Sequence, residues 1–309
     1  MAAIVPSKED APPMITESVS FFSDGLRLDA RVHRPDTTAS GLPAIVFCPG
    51  SRVTKETPYY ADYIPRLVSS GLLVLLIDYR GWGLSEGNAG DLYPMEQVAD
   101  IRSAVTYLET RTEVDPTRIG VFGVSFGGAL GVEAAARDER IRAIVTVLAP
   151  MDGARMLRGS RREYEWVELL GELAEDRRCR VLTGHGESTD HFSPPTPERS
   201  RTSALSQAPI PPIPLACLDA IREFRPLDVV DRIAPRAVLL IAATLDPTCP
   251  VEHSELAYEA AGSPKRLVVI ESTEHYGTYV KHMDRIMEES TAWFERQLPP
   301  IEPVAATEA

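Results

Sequence analysis

Short runs of almost wholly apolar residues recur along this chain. Residues 44–48 read AIVFC, 72–76 LLVLL, 143–148 AIVTVL and 237–242 AVLLIA. A strand with one face in water alternates apolar and polar residues. These runs do not alternate, so they read as strands buried on both faces, as in a parallel sheet covered by helices. The pattern predicts strands at 17–23, 26–33, 44–48, 72–78, 119–122, 143–148, 237–242 and 266–270. Between them lie helix candidates at 58–70, 95–110, 126–137, 251–261 and 278–297. Within the second of these, Val98, Ile101, Ala104, Val105 and Leu108 share one apolar face. The first two strands have no helix between them and predict an antiparallel hairpin. The rest alternates strand and helix, so the expected fold class is α/β, with a mostly parallel, doubly wound sheet.

One stretch breaks the alternation. Residues 151–235 hold a single clear amphipathic helix, 163–177, then the polar TGHGESTDHFSPPTPERSRTS and the proline-rich APIPPIP. A long insertion between sheet elements is usually functional or mobile. It is expected to form a helical cap over the carboxyl edge of the sheet, with an oligomerising element as the alternative. The division is therefore an N-terminal extension (1–16), a core (17–150 and 236–298), the cap (151–235) and a disordered tail (299–309).

The net charge of −13 excludes nucleic acid and anionic membranes as natural partners, because phosphate binding needs clustered Lys and Arg. No basic segment followed by an apolar run opens the chain, and no run is long enough to span a bilayer. The four cysteines, Cys48, Cys179, Cys217 and Cys249, have no paired spacing, so neither a zinc site nor a disulfide framework is expected. These features predict a cytoplasmic protein with a small-molecule substrate, no cofactor and no metal; assembly with further copies of itself is compatible with the insertion.

The pattern G-x-S-x-G occurs twice, at Gly123–Gly127 and at Gly83–Gly87. A nucleophile elbow needs a buried strand, a sharp turn and a helix, with small neighbours where strand and helix approach. Ser125 meets these demands. An apolar strand precedes it, Gly123, Gly127 and Gly128 surround it, and FGGALGVEAAA follows. Ser85 lies well past its strand and leads into Gly87-Asn88-Ala89-Gly90, a loop composition. Serine is a weak nucleophile without a base and a group that orients the base. Folds built on this turn place them in the order Ser, acid, His. Asp246 follows the strand 237–242, and His275 follows the strand 266–270. Asp152 is a competing acid. His33, His185, His191, His253 and His282 are competing histidines read as surface or structural residues. Oxyanion donors are expected from the backbone N–H of Phe126, just after the nucleophile, and of Ser51 in the loop CPGSRVTKE.

These blocks, with LLIDYRGWGLSEG, resemble the α/β-hydrolase superfamily, and within it the dienelactone-hydrolase-like and prolyl-dipeptidase-like esterases. The resemblance covers about 18–149 and 237–297. It implies that the Asp78–Ser85 block is a structural loop beside the active site. Many relatives carry a histidine before the glycine of the oxyanion loop, where this chain has Cys48-Pro49-Gly50. Dienelactone hydrolases proper use a cysteine nucleophile, where this chain has Ser125. The expected activity is hydrolysis of a carboxylic ester through an acyl-enzyme. Amides, carbamates, thioesters and carbon–carbon bonds, or transfer to another acceptor, are alternatives on the same residues. Apolar residues of the cap are expected to line the substrate pocket, chiefly Met151, Met156 and Trp166, with Trp82 completing the wall. Such lining suits a small or medium, largely apolar or aromatic substrate.

Overall fold

A computed structural model of the chain describes residues 13–190, 192 and 211–299. Residues 1–12, 191, 193–210 and 300–309 lie outside the described residues. With them go His191, most of the N-terminal extension, nearly all of the tail and much of the polar and proline-rich stretches.

The strands are β1 (Met14–Ser23), β2 (Leu26–Pro35), β3 (Leu42–Cys48), β4 (Leu73–Ile77), β5 (Val114–Val124), β6 (Ile141–Val147), the two-residue β7 (Ser188–Thr189) and β8 (Ile213–Pro214), β9 (Ala237–Ala243) and β10 (Lys265–Ile270). The helices are α1 (Tyr60–Ser69), α2 (Pro94–Glu109), α3 (Phe126–Arg137), α4 (Gly153–Gly159), α5 (Glu163–Thr183), α6 (Leu215–Glu223), α7 (Glu252–Ala260), α8 (Tyr276–Lys281) and α9 (Met283–Gln297). Eight strands form one sheet in the order β1-β2-β4-β3-β5-β6-β9-β10. β2 pairs antiparallel with both its neighbours, and every other pairing is parallel, so β2 alone runs against the rest. The hairpin β1–β2 turns on Asp24-Gly25, both in the left-handed region, as a type I′ turn demands.

Period-two geometry sorts each central strand onto two cores. On β3, Ala44, Val46 and Cys48 meet the side chains of α2 and α3, among them Ile101, Val105 and Leu130. Ile45 and Phe47 point the other way, toward Tyr60, Tyr63 and Leu67 of α1 and Ile286 and Phe294 of α9. Strands covered on both faces explain why the runs are apolar almost throughout, Thr146 of β6 being the exception.

From β3 the chain moves outward to β4 and then returns across β3 to β5. The order reverses between β3 and β5, whose ends meet in register at Cys48 and Gly123. Such a reversal opens a crevice at the carboxyl ends of the strands. The chain leaves β3 there into Pro49-Gly50-Ser51, and leaves β5 into Ser125.

Residues 151–235 hold α4, α6 and the β7–β8 pair besides the helix expected at 163–177, which runs on to Thr183, and three elements of the large sheet and its flanking helices also differ from the sequence pattern. β1 starts at Met14, inside the stretch read as an extension. β5 starts at Val114, because Val114 pairs with Leu42 ahead of the polar Asp115–Arg118 segment. The helix expected over 278–297 is two helices, broken where His282 takes φ −117° and ψ 20°. Tyr279, Met283, Ile286 and Ser290 keep helical spacing across the break, so periodicity alone could not reveal it.

Candidate active site

Ser125 sits at φ 51° and ψ −125°, a left-handed position that L side chains rarely adopt. Its surroundings over-determine that geometry. The Ser125 N–H donates to the Val147 carbonyl on β6 at 2.8 Å. A Cβ on Gly123 would lie 2.5 Å from the Gly127 carbonyl oxygen, and one on Gly127 would overlap the carbonyl oxygens of Cys48 and Pro49. Only glycine allows β5, α3 and the end of β3 to approach this closely. The turn lifts the Ser125 hydroxyl out of the sheet, and the side chain is partly exposed.

The Ser125 Oγ lies 3.1 Å from His275 Nε2. His275 Nδ1 lies 2.6 Å from Asp246 Oδ2. His275 is 1% exposed and Asp246 3%. The second Asp246 oxygen accepts the N–H groups of Thr248 at 2.7 Å and Cys249 at 2.9 Å. The carboxylate is therefore held at both oxygens and aimed at Nδ1. That bond fixes the tautomer with Nδ1 protonated, which leaves the Nε2 lone pair facing Ser125. Asp246 and His275 leave the ends of the neighbouring parallel strands β9 and β10, so the sheet itself sets their spacing.

The N–H groups of Phe126 and Ser51 are absent from the donors of the turn and loop backbone hydrogen bonds among the described residues. Phe126 opens α3, so its N–H carries the positive end of that helix. Ser51 lies one residue past Gly50, whose own N–H is taken by the Tyr60 hydroxyl at 3.0 Å. The loop is braced from below by Lys55. Its backbone N–H donates to Asp78 at 2.7 Å, and its ammonium meets Asp78 at 2.6 Å and Asp29 at 2.5 Å. Burial works against that charge, and the two carboxylates more than offset it, so the Lys55 pKa is raised.

Ser85 has another task. Its hydroxyl donates to the Asp78 carbonyl at 2.7 Å and accepts the Asp29 N–H at 2.8 Å. It ties the loop after β4 to β2. In the same loop Arg80 is bound to Asp100 through Nε at 2.9 Å. Trp82 is buried, and its Nε1–H donates to the Asp91 carbonyl at 2.7 Å.

Described residues between 151 and 235 pack against the loops of this site. Phe224 meets Phe126 at a ring distance of 5.8 Å. Arg52 of the loop after β3 donates to the Pro211 carbonyl at 3.2 Å and the Asp190 carbonyl at 3.5 Å. Met151 is fully buried and Met156 nearly so, in the same apolar cluster as Phe126 and Phe224, and Trp166 packs partly buried against it. Asp152 accepts the Arg155 N–H at 2.9 Å at the start of α4 and pairs with Arg225 at 3.3 Å. His253 is 2% exposed, and its Nδ1 accepts the Met151 N–H at 3.2 Å; burial lowers its pKa to about 4. His33 is lowered to about 4 by the same cause, and His185 is exposed on the insertion.

Sequence reasoning missed three neighbours of the site. Tyr279 Oη lies 3.2 Å from His275 Nε2. The buried Cys249 thiol lies near enough to Ser125 to interact with it electrostatically. Tyr60 holds Gly50. A tyrosine in a helical apolar stripe carries no mark that separates it from core, so only Cys249, three residues after Asp246, offered any signal. Burial pushes the thiols of Cys249 and Cys48 up, that of Cys48 to about 12, so both stay protonated near neutral pH. Among the described residues no cluster of three or more His, Cys, Asp or Glu is placed to hold a metal ion, and no helix among them is long and apolar enough to cross a membrane.

Residues 45–289 match the model of the alpha/beta hydrolase family. The chain belongs to that family. A protein of Escherichia coli from the traX-finO intergenic region is 28% identical over 296 residues, covering 90% of this chain and 98% of its own. The thiohydrolase aneE of Aspergillus aculeatus is 25% identical over 302 residues, covering 88% and 89%. The polyketide transferase grgF of a Penicillium species is 25% identical over 271 residues, covering 83% and 88%. A crystal structure of alpha/beta hydrolase GrgF from Penicillium superposes with a TM-score of 0.75 at 23% identity, over 92% of this chain and 99% of that one.

Proposed function

We propose that this alpha/beta hydrolase is a serine enzyme that cleaves a carboxylic ester or thioester through an acyl-enzyme. In this reading Ser125 attacks the carbonyl carbon while His275 Nε2 takes the hydroxyl proton. Asp246 stabilises the imidazolium through Nδ1. The carbonyl oxygen becomes an oxyanion between the N–H groups of Phe126 and Ser51, which cost no reorganisation when the charge forms. The carbon–oxygen or carbon–sulfur bond then breaks, and His275 returns its proton to the leaving atom. Water attacks the Ser125 ester with His275 again as base, releasing the acid and free Ser125. The observation that carries the proposal is the unbroken series Ser125–His275–Asp246, at 3.1 and 2.6 Å, with the serine on a strained turn.

Residues 151–235 act as the cap in this reading. Met151, Met156, Trp166 and Trp82 shape a pocket for a small or medium, largely apolar or aromatic acyl group. The name of one relative, a polyketide transferase, favours a second outcome of the same acyl-enzyme, capture by an alcohol, amine or thiol in place of water, while that of another, a thiohydrolase, agrees with thioester cleavage by water. A panel of p-nitrophenyl esters and acyl thioesters of increasing chain length, run with and without added acceptors, tests both readings. Hydrolysis sharply tuned by chain length supports the cap as pocket. Product that follows the added acceptor selects transfer. No turnover of any ester or thioester by folded protein overturns the proposal.

A further inference from the structure

His275 Nε2 faces two hydroxyl groups. The Ser125 Oγ is 3.1 Å away and the Tyr279 Oη 3.2 Å. A single nitrogen lone pair accepts one strong hydrogen bond, so in the resting state the two hydroxyls compete for it. After proton transfer the relation inverts. Nε2 carries a proton, and both oxygens can accept it. Charge-assisted bonds are roughly twice as strong as neutral ones, so the second oxygen matters most to the imidazolium.

The phenol is built into place. Tyr279 is 1% exposed and follows His275 by one turn on α8. Its ring meets the imidazole edge-on, at 5.2 Å and 81°. Tyr59 stacks on its other side at 5.5 Å and 9°. The Tyr63 hydroxyl donates to the Tyr279 carbonyl at 3.0 Å. Burial holds the phenol well above its ordinary range, so it remains protonated while His275 cycles. The same aromatic group reaches the oxyanion loop, because Tyr60 packs on Tyr59 at 4.8 Å and accepts the Gly50 N–H.

We propose that Tyr279 is a positioning residue for His275: its hydroxyl oxygen accepts the Nε2 proton that His275 has taken from Ser125, and so keeps the imidazolium aligned until that proton passes to the leaving atom. No bond to Tyr279 forms or breaks. The proton leaves Ser125 Oγ, resides on Nε2, and moves on to the leaving group, with Tyr279 as a second acceptor throughout. Asp246 anchors one nitrogen of the ring and Tyr279 the other. Asp246, from the loop after β9, and Tyr276 and Tyr279, from α8, meet the ring directly; behind them Cys249 interacts with Asp246, and Tyr59, ahead of α1, stacks on Tyr279. This inference rests on the reading of Ser125, His275 and Asp246 as the reacting groups.

Tyr279→Phe tests it, because phenylalanine keeps the ring, its stacking and its packing and removes only the oxygen. The expected result is a kcat about ten-fold lower with KM and thermal midpoint nearly unchanged. The acidic limb of the kcat/KM profile is expected to move to lower pH, because the protonated ring loses a charge-assisted partner. A variant that matches wild type in kcat and in its pH profile overturns the proposal and leaves Tyr279 a packing residue. Ser125→Ala is measured alongside. Turnover that survives Ser125→Ala overturns the reading of the reacting groups instead, so the two failures are told apart.

Discussion

Gly127 passes so close to Cys48 that a Cβ on Gly127 would overlap the Cys48 carbonyl oxygen. Cys48 ends the strand that leads into the loop Pro49-Gly50-Ser51, and Gly127 is two residues past Ser125. This contact therefore fixes the distance between the Ser125 hydroxyl and the N–H groups proposed to receive the oxyanion. Gly127→Ala must push α3 and β3 apart. A misplacement of about 1 Å costs on the order of 100-fold in rate. We expect a loss of at least that size in kcat/KM on an activated ester, larger than any change in KM, measured on the fraction that elutes as folded monomer or oligomer.

Ser85→Ala separates the two G-x-S-x-G motifs. It removes a donor to the Asp78 carbonyl and an acceptor for the Asp29 N–H. Leaving buried groups unpaired costs about 1–3 kcal/mol, so chemical denaturation should show a drop of that order. The rate per folded molecule should stay within about two-fold of wild type. An inactive but stable Ser85→Ala would place the nucleophile in the wrong motif.

The acid is tested by a pair of variants. Asp246→Asn leaves the shape of the site and removes the charge that orients and stabilises His275. The expected fall in kcat is on the order of 10³–10⁴-fold. Asp152→Asn keeps the α4 cap and should retain near-normal kcat, since its oxygen serves the Arg155 N–H and its partner is Arg225. Steady-state kinetics of both variants on one substrate decides the assignment.

Much of this arrangement was legible in the residues. β3, β4, β6 and β9 announced themselves because a strand covered on both faces is apolar along nearly all of its length. Ser125 was separable from Ser85 because strand, turn and helix must follow in order, with glycine wherever backbones touch. Asp246 and His275 followed from strand order. Tyr279 did not, because a buried tyrosine at helical spacing looks the same whether it packs or touches a reacting nitrogen. The contact of Arg52 with Asp190 and Pro211 was equally hidden. It joins residues about 140–160 apart, and no local pattern encodes a meeting of that kind.

Acid stability follows from two buried histidines. His33 and His253 have pKa values lowered by burial from 6.5 to about 4. The unfolded chain therefore binds protons that the folded chain refuses, and stability falls as pH drops from 6.5 through 4. A shift of this size corresponds to at most about 3 kcal/mol for each group. His253→Asn keeps an acceptor for the Met151 N–H and removes one titration. Thermal midpoints measured from pH 7.5 to 4 should show the variant gaining on wild type as the pH falls. A gap that stays constant over that range would mean His253 does not titrate on unfolding.

The central claim is that Ser125, activated by His275, becomes acylated. Treatment with a fluorophosphonate, followed by intact mass and peptide mapping, reads that event directly. The prediction is a single adduct on Ser125, formed by wild type and by Ser85→Ala, absent from Ser125→Ala, and slowed by several orders of magnitude in His275→Ala. An adduct on any other residue, or a Ser125 that stays unmodified in folded protein able to hydrolyse esters, would contradict it.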